Sequence, residues 1–219
     1  MTLLNYINYF VLYILLQFLV EVNPQQTVSK PDLRVAHTAT VIDDKLYILG
    51  GAIPPYINKA PPKETFLYID CSAPFNTDKL KWIDLSNNSV IPPHYFAAAV
   101  KGGASNDTLF LYGGESLDAK PMSLVYAFNT LNNTWSVPIL AGASSGNVVG
   151  INPIVDYNGL MYLFGGLTSV LGGTYTSDMI TLDTINLSLK KANSVNALSP
   201  RADYSAVLLP NKDIIYMGM

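Results

Sequence analysis

The chain is poor in charge and poor in the residues that usually carry chemistry. Asp, Glu, Lys and Arg make up 13% of its 219 residues, about half the usual share. The net charge is -3, and no basic cluster occurs anywhere. Phosphate recognition needs a concentrated Lys/Arg face, so nucleic acid is not an expected partner. There are two histidines, His37 and His94, and one cysteine, Cys71. A single cysteine forbids an intramolecular disulfide and leaves the redox compartment unread. Its plain reading is a small buried hydrophobe near a strand end. There is no H-x-x-x-H, no C-x-x-C and no carboxylate cluster with metal spacing. A G-x-S-x-G nucleophile turn and a phosphate loop are also missing. The sequence therefore predicts no catalytic residue, no metal and no cofactor. Most Asp residues sit at turns (Asp43, Asp44, Asp107, Asp213), where local backbone bonding favours them. His37 lies in a first-strand position whose nearest counterparts are Phe96 and Tyr204, which favours packing or hydrogen bonding over a ligand role.

What is present is apolar and repetitive. Hydrophobic residues are 49% of the chain, and there are 14 tyrosines. This is not a disordered composition. The stretch Leu46-Tyr47-Ile48-Leu49-Gly50-Gly51 returns as Leu109-Phe110-Leu111-Tyr112-Gly113-Gly114 and as Leu160-Met161-Tyr162-Leu163-Phe164-Gly165-Gly166. It begins again as Ile214-Ile215-Tyr216-Met217-Gly218. The first glycines are 63, 52 and 53 residues apart. A period near 50 signals a repeat architecture.

Each unit has one internal order. A short apolar strand is followed by a turn such as Asp43-Asp44 or Asn158-Gly159, the latter a hairpin signal with positive φ expected at both positions. The return strand is apolar throughout, as expected when both its faces are buried. The glycine pair then suits a sharp turn or a close backbone approach. A loop, a third strand (66–70, 124–129, 179–183) and a fourth (80–85, one around Trp135, 187–191) complete the unit. Four antiparallel strands at this period predict β-propeller blades.

On these residues the chain resembles the kelch-repeat β-propellers. The family's Gly-Gly pair, spaced Tyr and spaced Trp match Gly50-Gly51, Tyr68 and Trp82, then Gly113-Gly114, Tyr126 and Trp135. The third unit keeps Gly165-Gly166 but has Thr181 and Leu189 in the other slots. The fourth has Gly218 followed by Met219. The resemblance implies an all-β, kelch-type β-propeller, incomplete, with three four-stranded blades and the first half of a fourth. The blades are expected over 34–90, 91–140 and 141–196, with the truncated fourth over 197–219. Rings of four to eight blades close, so the reading is of a piece of a longer propeller. Tyr68, Tyr126, Trp82 and Trp135 are expected to pack between blades.

Ahead of the repeats, Phe10 to Val20 carries no charge. Its length suits a signal-peptide h-region and is short for a bilayer span. Residues 1–22 therefore read as a hydrophobic helix serving as signal peptide or membrane anchor, and 23–33 as a linker without strand pattern. Contact with a membrane is expected only if this segment stays uncleaved. Four sequons, at Asn87, Asn106, Asn132 and Asn186, fit N-glycosylation. The expected function is a secreted or cell-surface scaffold for protein or carbohydrate binding. Rim loops are the usual place for recognition, and Tyr56 and Tyr175 are the loop aromatics to test. The loop around Tyr56 carries four prolines and reads as stiff and extended. The resemblance also admits an alternative, a galactose-oxidase-like copper radical oxidase, whose Tyr–Cys cross-link has Cys71 as the only available thiol.

Overall fold

The computed structural model describes residues 26–28, 30–55, 60–142, 146–192 and 198–218. The expected N-terminal helix lies outside them. Helix among the described residues is limited to two single 3-10 turns, Thr77–Lys79 and Ser86–Asn88. Everything else is strand, turn and loop.

The first sheet holds β1 (Gln26–Val28), β2 (Val35–Ile42), β3 (Lys45–Ala52), β4 (Phe66–Asp70) and β5 (Trp82–Asp84), in the order β1-β5-β4-β3-β2. A small ribbon pairs β6 (His94–Tyr95) with β9 (Glu115–Ser116). The second sheet holds β7 (Ala98–Gly102), β8 (Thr108–Tyr112), β10 (Val125–Asn129) and β11 (Thr134–Ser136). The third holds β12 (Ala141–Gly142), β13 (Ile154–Val155), β14 (Leu160–Phe164), β15 (Met179–Asp183) and β16 (Ser188–Lys191). The fourth pairs β17 (Ser205–Leu208) with β18 (Ile214–Met217).

Two sheets have a fifth strand that the sequence did not mark. β1 adds antiparallel to β5, inside the stretch expected as a linker. β12 adds parallel to β16. Segments of two or three residues cannot display a period, so their strand character comes from the edge they join. The Asn158-Gly159 turn also differs from expectation. Only Gly159 takes a positive φ, +77°. The Asp156 carboxylate accepts from the Asn158 and Leu160 N–H groups, and this local bonding replaces the all-left-handed hairpin turn.

The return strand β8 is buried on both faces because the first and third sheets flank it, whereas β18, the last return strand, alternates between half-buried and exposed positions. With the glycine pairs in register, Tyr47, Leu49, Phe66 and Tyr68 point forward from the first sheet. They meet Leu109, Leu111, Tyr126 and Phe128, which point backward from the second. Phe110, Tyr112, Val125 and Ala127 in turn meet Met161, Leu163, Ile180 and Leu182 of the third. Phe164 carries the pattern on to Tyr216, with ring centroids 5.1 Å apart. The aromatic centre between the first two sheets is dense. Phe128 lies 4.8 Å from Phe66, 4.9 Å from Trp135 and 6.0 Å from Tyr47, centroid to centroid.

This register revises the motif alignment. Leu111 opposes Tyr126, whereas Tyr47 opposes Tyr68. Tyr68 is thus the counterpart of Ala127 and Thr181, and Tyr126 that of Leu67. A one-residue shift sends a strand side chain to the other face, so Tyr68 faces forward and Tyr126 backward. Trp135 and Leu189 do share a slot, opposite Phe128 and Leu182. Trp82 occupies the same slot in the first sheet but has no such packed partner sheet behind it among the described residues.

Candidate functional site

Each unit opens its innermost strand with one residue in the left-handed region: Ala36, Phe96, Gly150 and Asp203, with φ of 57°, 55°, 69° and 53°. Three of the four are not glycine, and nothing in the sequence marks them. They are held by a chain of backbone bonds that runs from unit to unit. The Phe96 N–H donates to the Ala36 carbonyl at 2.8 Å, Gly150 to Phe96 at 3.2 Å, and Asp203 to Gly150 at 2.8 Å. These bonds join residues more than fifty positions apart and bring four strand starts around one space. The space is a cavity of about 460 Å³ lined by 36–39, 96–99, 150–153 and 203–204.

Small side chains, mainly alanine, keep the cavity open. Its titratable lining consists of His37, Asp203 and Tyr204, of which Asp203 is the one acidic residue. Partial burial, and secondarily the Arg34 charge, lower the pKa of His37. Burial raises that of Asp203. His37 is exposed at the cavity and pairs with Gly50 across the strands, so of the two roles its sequence position suggested, packing or hydrogen bonding, core packing does not apply. Its counterpart in the second unit is Ala97, one residue beyond Phe96. Tyr204 is the packed member of this series: it is buried, its hydroxyl donates to the Phe164 carbonyl at 2.5 Å, and burial raises its pKa.

The glycine pairs shape the same end of the sheets. The first glycine of each pair, Gly50, Gly113 or Gly165, has φ near +68°. A Cβ there would overlap the carbonyl oxygen of His94, Val148 or Arg201, which belongs to the next unit. The second glycine abuts its own unit's first strand: a Cβ on Gly114 would lie 2.7 Å from the Ala97 Cβ. Gly218 sits against Tyr204 in the same manner.

His94 is packed against Gly50 and does not reach the cavity. Its Nδ1 donates to the Pro92 carbonyl at 2.9 Å, and its buried Nε2 has no hydrogen-bond partner among the described residues. Burial takes its pKa down from 6.5 to about 4. Its effect on stability is therefore pH-dependent. Above pH 6.5 both states are neutral and stability is intact. As pH falls from 6.5 to about 4 the unfolded chain takes the proton first, and stability should drop by roughly 3 kcal/mol in total. Urea melts across this range check it. His94→Val, which copies Val148 at the equivalent position, should flatten that segment of the profile; an unchanged profile in the variant refutes the assignment.

The other sequence candidates are dispersed. Tyr56 lies outside the described residues. On either side of it, the Ile53 N–H donates to the Ala60 carbonyl at 2.9 Å. Tyr175 is 61% exposed on the loop after Gly165-Gly166 and is not part of the cavity wall. That loop folds back on the second unit, where Val170 N–H and Ser169 Oγ donate to the Glu115 carboxylate at 2.9 and 3.2 Å. Asn87, Asn106, Asn132 and Asn186 are all exposed.

Cys71 is exposed, against the expectation of burial. Its backbone N–H donates to Asp44 as those of Thr130 and Thr184 donate to Asp107 and Gly159. Thr184 is covered by the preceding unit, whose Gly103 N–H donates to its hydroxyl at 3.0 Å. No described preceding unit covers Cys71. Among the described residues no group of three or more His, Cys, Asp or Glu is placed to hold a metal. No helix among them is long and apolar enough to cross a membrane.

Comparison with known proteins agrees with this geometry. The family model described as "KLHDC2/KLHL20/DRC7 Kelch-repeats domain" matches residues 36–219. Kelch domain-containing protein 3 of Rattus norvegicus is 28% identical over 200 residues, which is 84% of this chain and 48% of that protein. The Bos taurus protein of the same name is 28% identical over 159 residues, 69% of this chain and 39% of its own length. A kelch domain-containing protein of Sulfurisphaera tokodaii is 34% identical over 107 residues, 48% of this chain and 14% of its own length. The chain thus spans about half the length, or less, of the curated relatives it matches. With the glycine pairs, the antiparallel sheets and this match over most of its length, the chain belongs to the kelch-repeat family.

Proposed function

We propose that this kelch-repeat scaffold binds a segment of a partner protein at the cavity end of its sheets and performs no catalysis of its own. One observation supports this most directly: the same four-residue stretch of successive units converges on one cavity. Repetition of small residues there leaves room for a side chain or a chain end. The loops after the glycine pairs leave from the same end and offer a rim. Rigid sheets presenting variable loops are a common arrangement for recognition.

The charge of the cavity sets the expected preference. At neutral pH His37 is neutral because its pKa is lowered, and Asp203 supplies a carboxylate within a partly desolvated wall. A basic side chain on the partner segment is favoured. A random peptide library selected on the immobilised chain should yield sequences enriched in Arg or Lys. Asp203→Asn should weaken capture of those peptides by about tenfold or more, the scale of a charge-assisted hydrogen bond. Selected peptides indifferent to Asp203, or capture of glycans in place of peptides on an array, overturn this reading.

A further inference from the structure

The second sheet ends in an open edge where the sheets on both sides of it do not. In the first sheet β1 covers the outer strand β5, and in the third β12 covers β16. Both added strands meet the same slot of the repeat: Val28 lies opposite Trp82, and Gly142 opposite Leu189. Trp135 holds that slot in the second sheet, and among the described residues no strand lies outside it. Hydrogen-bond alternation says which groups are left over. The Thr130 N–H donates to the Asp107 carbonyl, just beyond the Asn129–Thr108 pair, so Asn129 turns its own N–H and C=O toward Thr134. Trp135, one residue on, then points its N–H and C=O away from β10. Neither group has a partner among the described residues. Thr134 and Ser136 are exposed, whereas all three residues of β5 are half-buried.

This edge is also unguarded. Sheet edges are commonly protected by charge, lysine above all. β5 follows Lys81 and contains Asp84, and β16 ends in Lys190 and Lys191. From Pro121 to Val155 the chain has no Asp, Glu, Lys or Arg. Beyond β11, Val137 is 51% and Ile139 93% exposed.

We propose that β11 is a docking edge for an extended, uncharged segment of a partner protein, which adds as a fifth strand and sets a β-branched or small residue opposite Trp135. That residue preference copies Val28 and Gly142 in the two covered sheets. The neutral surroundings favour a neutral segment, because a charged one would lose hydration without an opposite charge to meet it. A second copy of this chain fits less well. Two three-residue edges bury little, whereas stable contacts between folded copies need about 1,200 Å² or more. An added strand is held by main-chain bonds and alternate side-chain contacts. The edge lies across the sheet from β7, whose Ala98 and Ala99 line the cavity, so its occupancy does not depend on Asp203.

The probe is a dye-labelled peptide with blocked ends, Gly-Ser-Gln-Thr-Val-Thr-Val-Ser-Gly, titrated with the full chain and followed by fluorescence anisotropy. Saturable binding is expected. In a Trp82→Phe chain, which keeps Trp135 as its single tryptophan, the emission should shift as the peptide binds. Val137→Pro, which removes an N–H just past β11, should weaken binding by about tenfold. N-methylation of both valines in the peptide should do the same with the protein unchanged, and Asp203→Asn should have no effect. Four results overturn the proposal: no saturation, equal binding of the N-methylated peptide, an equal loss in Asp203→Asn, or sedimentation in which the chain pairs with itself and Val137→Pro restores single chains.

Discussion

Replacing Gly113 by alanine should destabilise the fold by about 2–5 kcal/mol, measured by urea denaturation. Two costs combine at this position. The residue has φ of +69°, and an L side chain in the left-handed region costs about 1–2 kcal/mol. The added Cβ would also overlap the Val148 carbonyl oxygen. Overpacking costs about 1–3 kcal/mol where the neighbours can shift. Here they cannot shift cheaply, because the obstacle is backbone: that same carbonyl accepts from the Gly114 N–H at 3.2 Å. Gly172→Ala is the control. Gly172 has φ of +75° but nothing within 4 Å of a Cβ, so it should show the backbone cost alone, about 1–2 kcal/mol. Equal losses in the two variants would mean that the units do not approach each other as described. The same logic assigns Gly50 and Gly165 an architectural role, since each meets a carbonyl of the following unit.

Truncating Phe128 to alanine is expected to cost about 3–5 kcal/mol, the range for a large buried aromatic. Phe128 is fully buried, 0% exposed, and it joins rings from two sheets. Its edge meets Phe66 at an interplanar angle of 87°, and Trp135 lies against it at 44°. Such ring pairs contribute about 0.5–1.5 kcal/mol each beyond area burial. Removing the ring leaves a void that backbone ladders on both sides keep from collapsing. Domains of ordinary stability have about 5–15 kcal/mol in total, so this loss shows as a large drop in the urea midpoint. Phe128→Leu should recover more than half of it. Trp135 fluorescence gives a second readout, since the indole loses one wall. A change below about 1 kcal/mol in Phe128→Ala would contradict the packing of the first sheet on the second.

The two effects act at different distances from the proposed binding cavity. Gly113 lies at the cavity end, where unit-to-unit carbonyl contacts set the spacing of the strand starts. Phe128 lies within the wedge between sheets. A variant that loses stability at Phe128 without changing peptide capture, next to one at Asp203 that does the reverse, separates scaffold from site.

Local pattern carried the architecture. The strands 66–70 and 179–183 were legible to the residue, because apolar and β-branched runs bounded by turns are a local signal. The glycine pairs were legible as points of close approach, because glycine is the one residue whose absence of Cβ is written in the sequence. The repeat architecture was legible for the same reason: a period needs only spacing.

What the tertiary structure alone decided is which neighbour each residue meets. The left-handed residues Ala36, Phe96 and Asp203 carry no sequence mark, since they are held by hydrogen bonds between neighbouring units. The cavity follows from those bonds and was therefore invisible. Tyr68 and Tyr126 looked equivalent by spacing, yet a one-residue difference in register places them on opposite faces. Cys71 looked buried by composition, but burial at that slot depends on a preceding unit. Strands β1 and β12 are too short to show a period and exist only because a sheet edge receives them. The sequence by itself determined the repeat, its strands and its glycine turns, which depend on neighbours a few residues away. The faces, the cavity and the exposed positions depend on contacts fifty residues apart, and those are set only when the units stack.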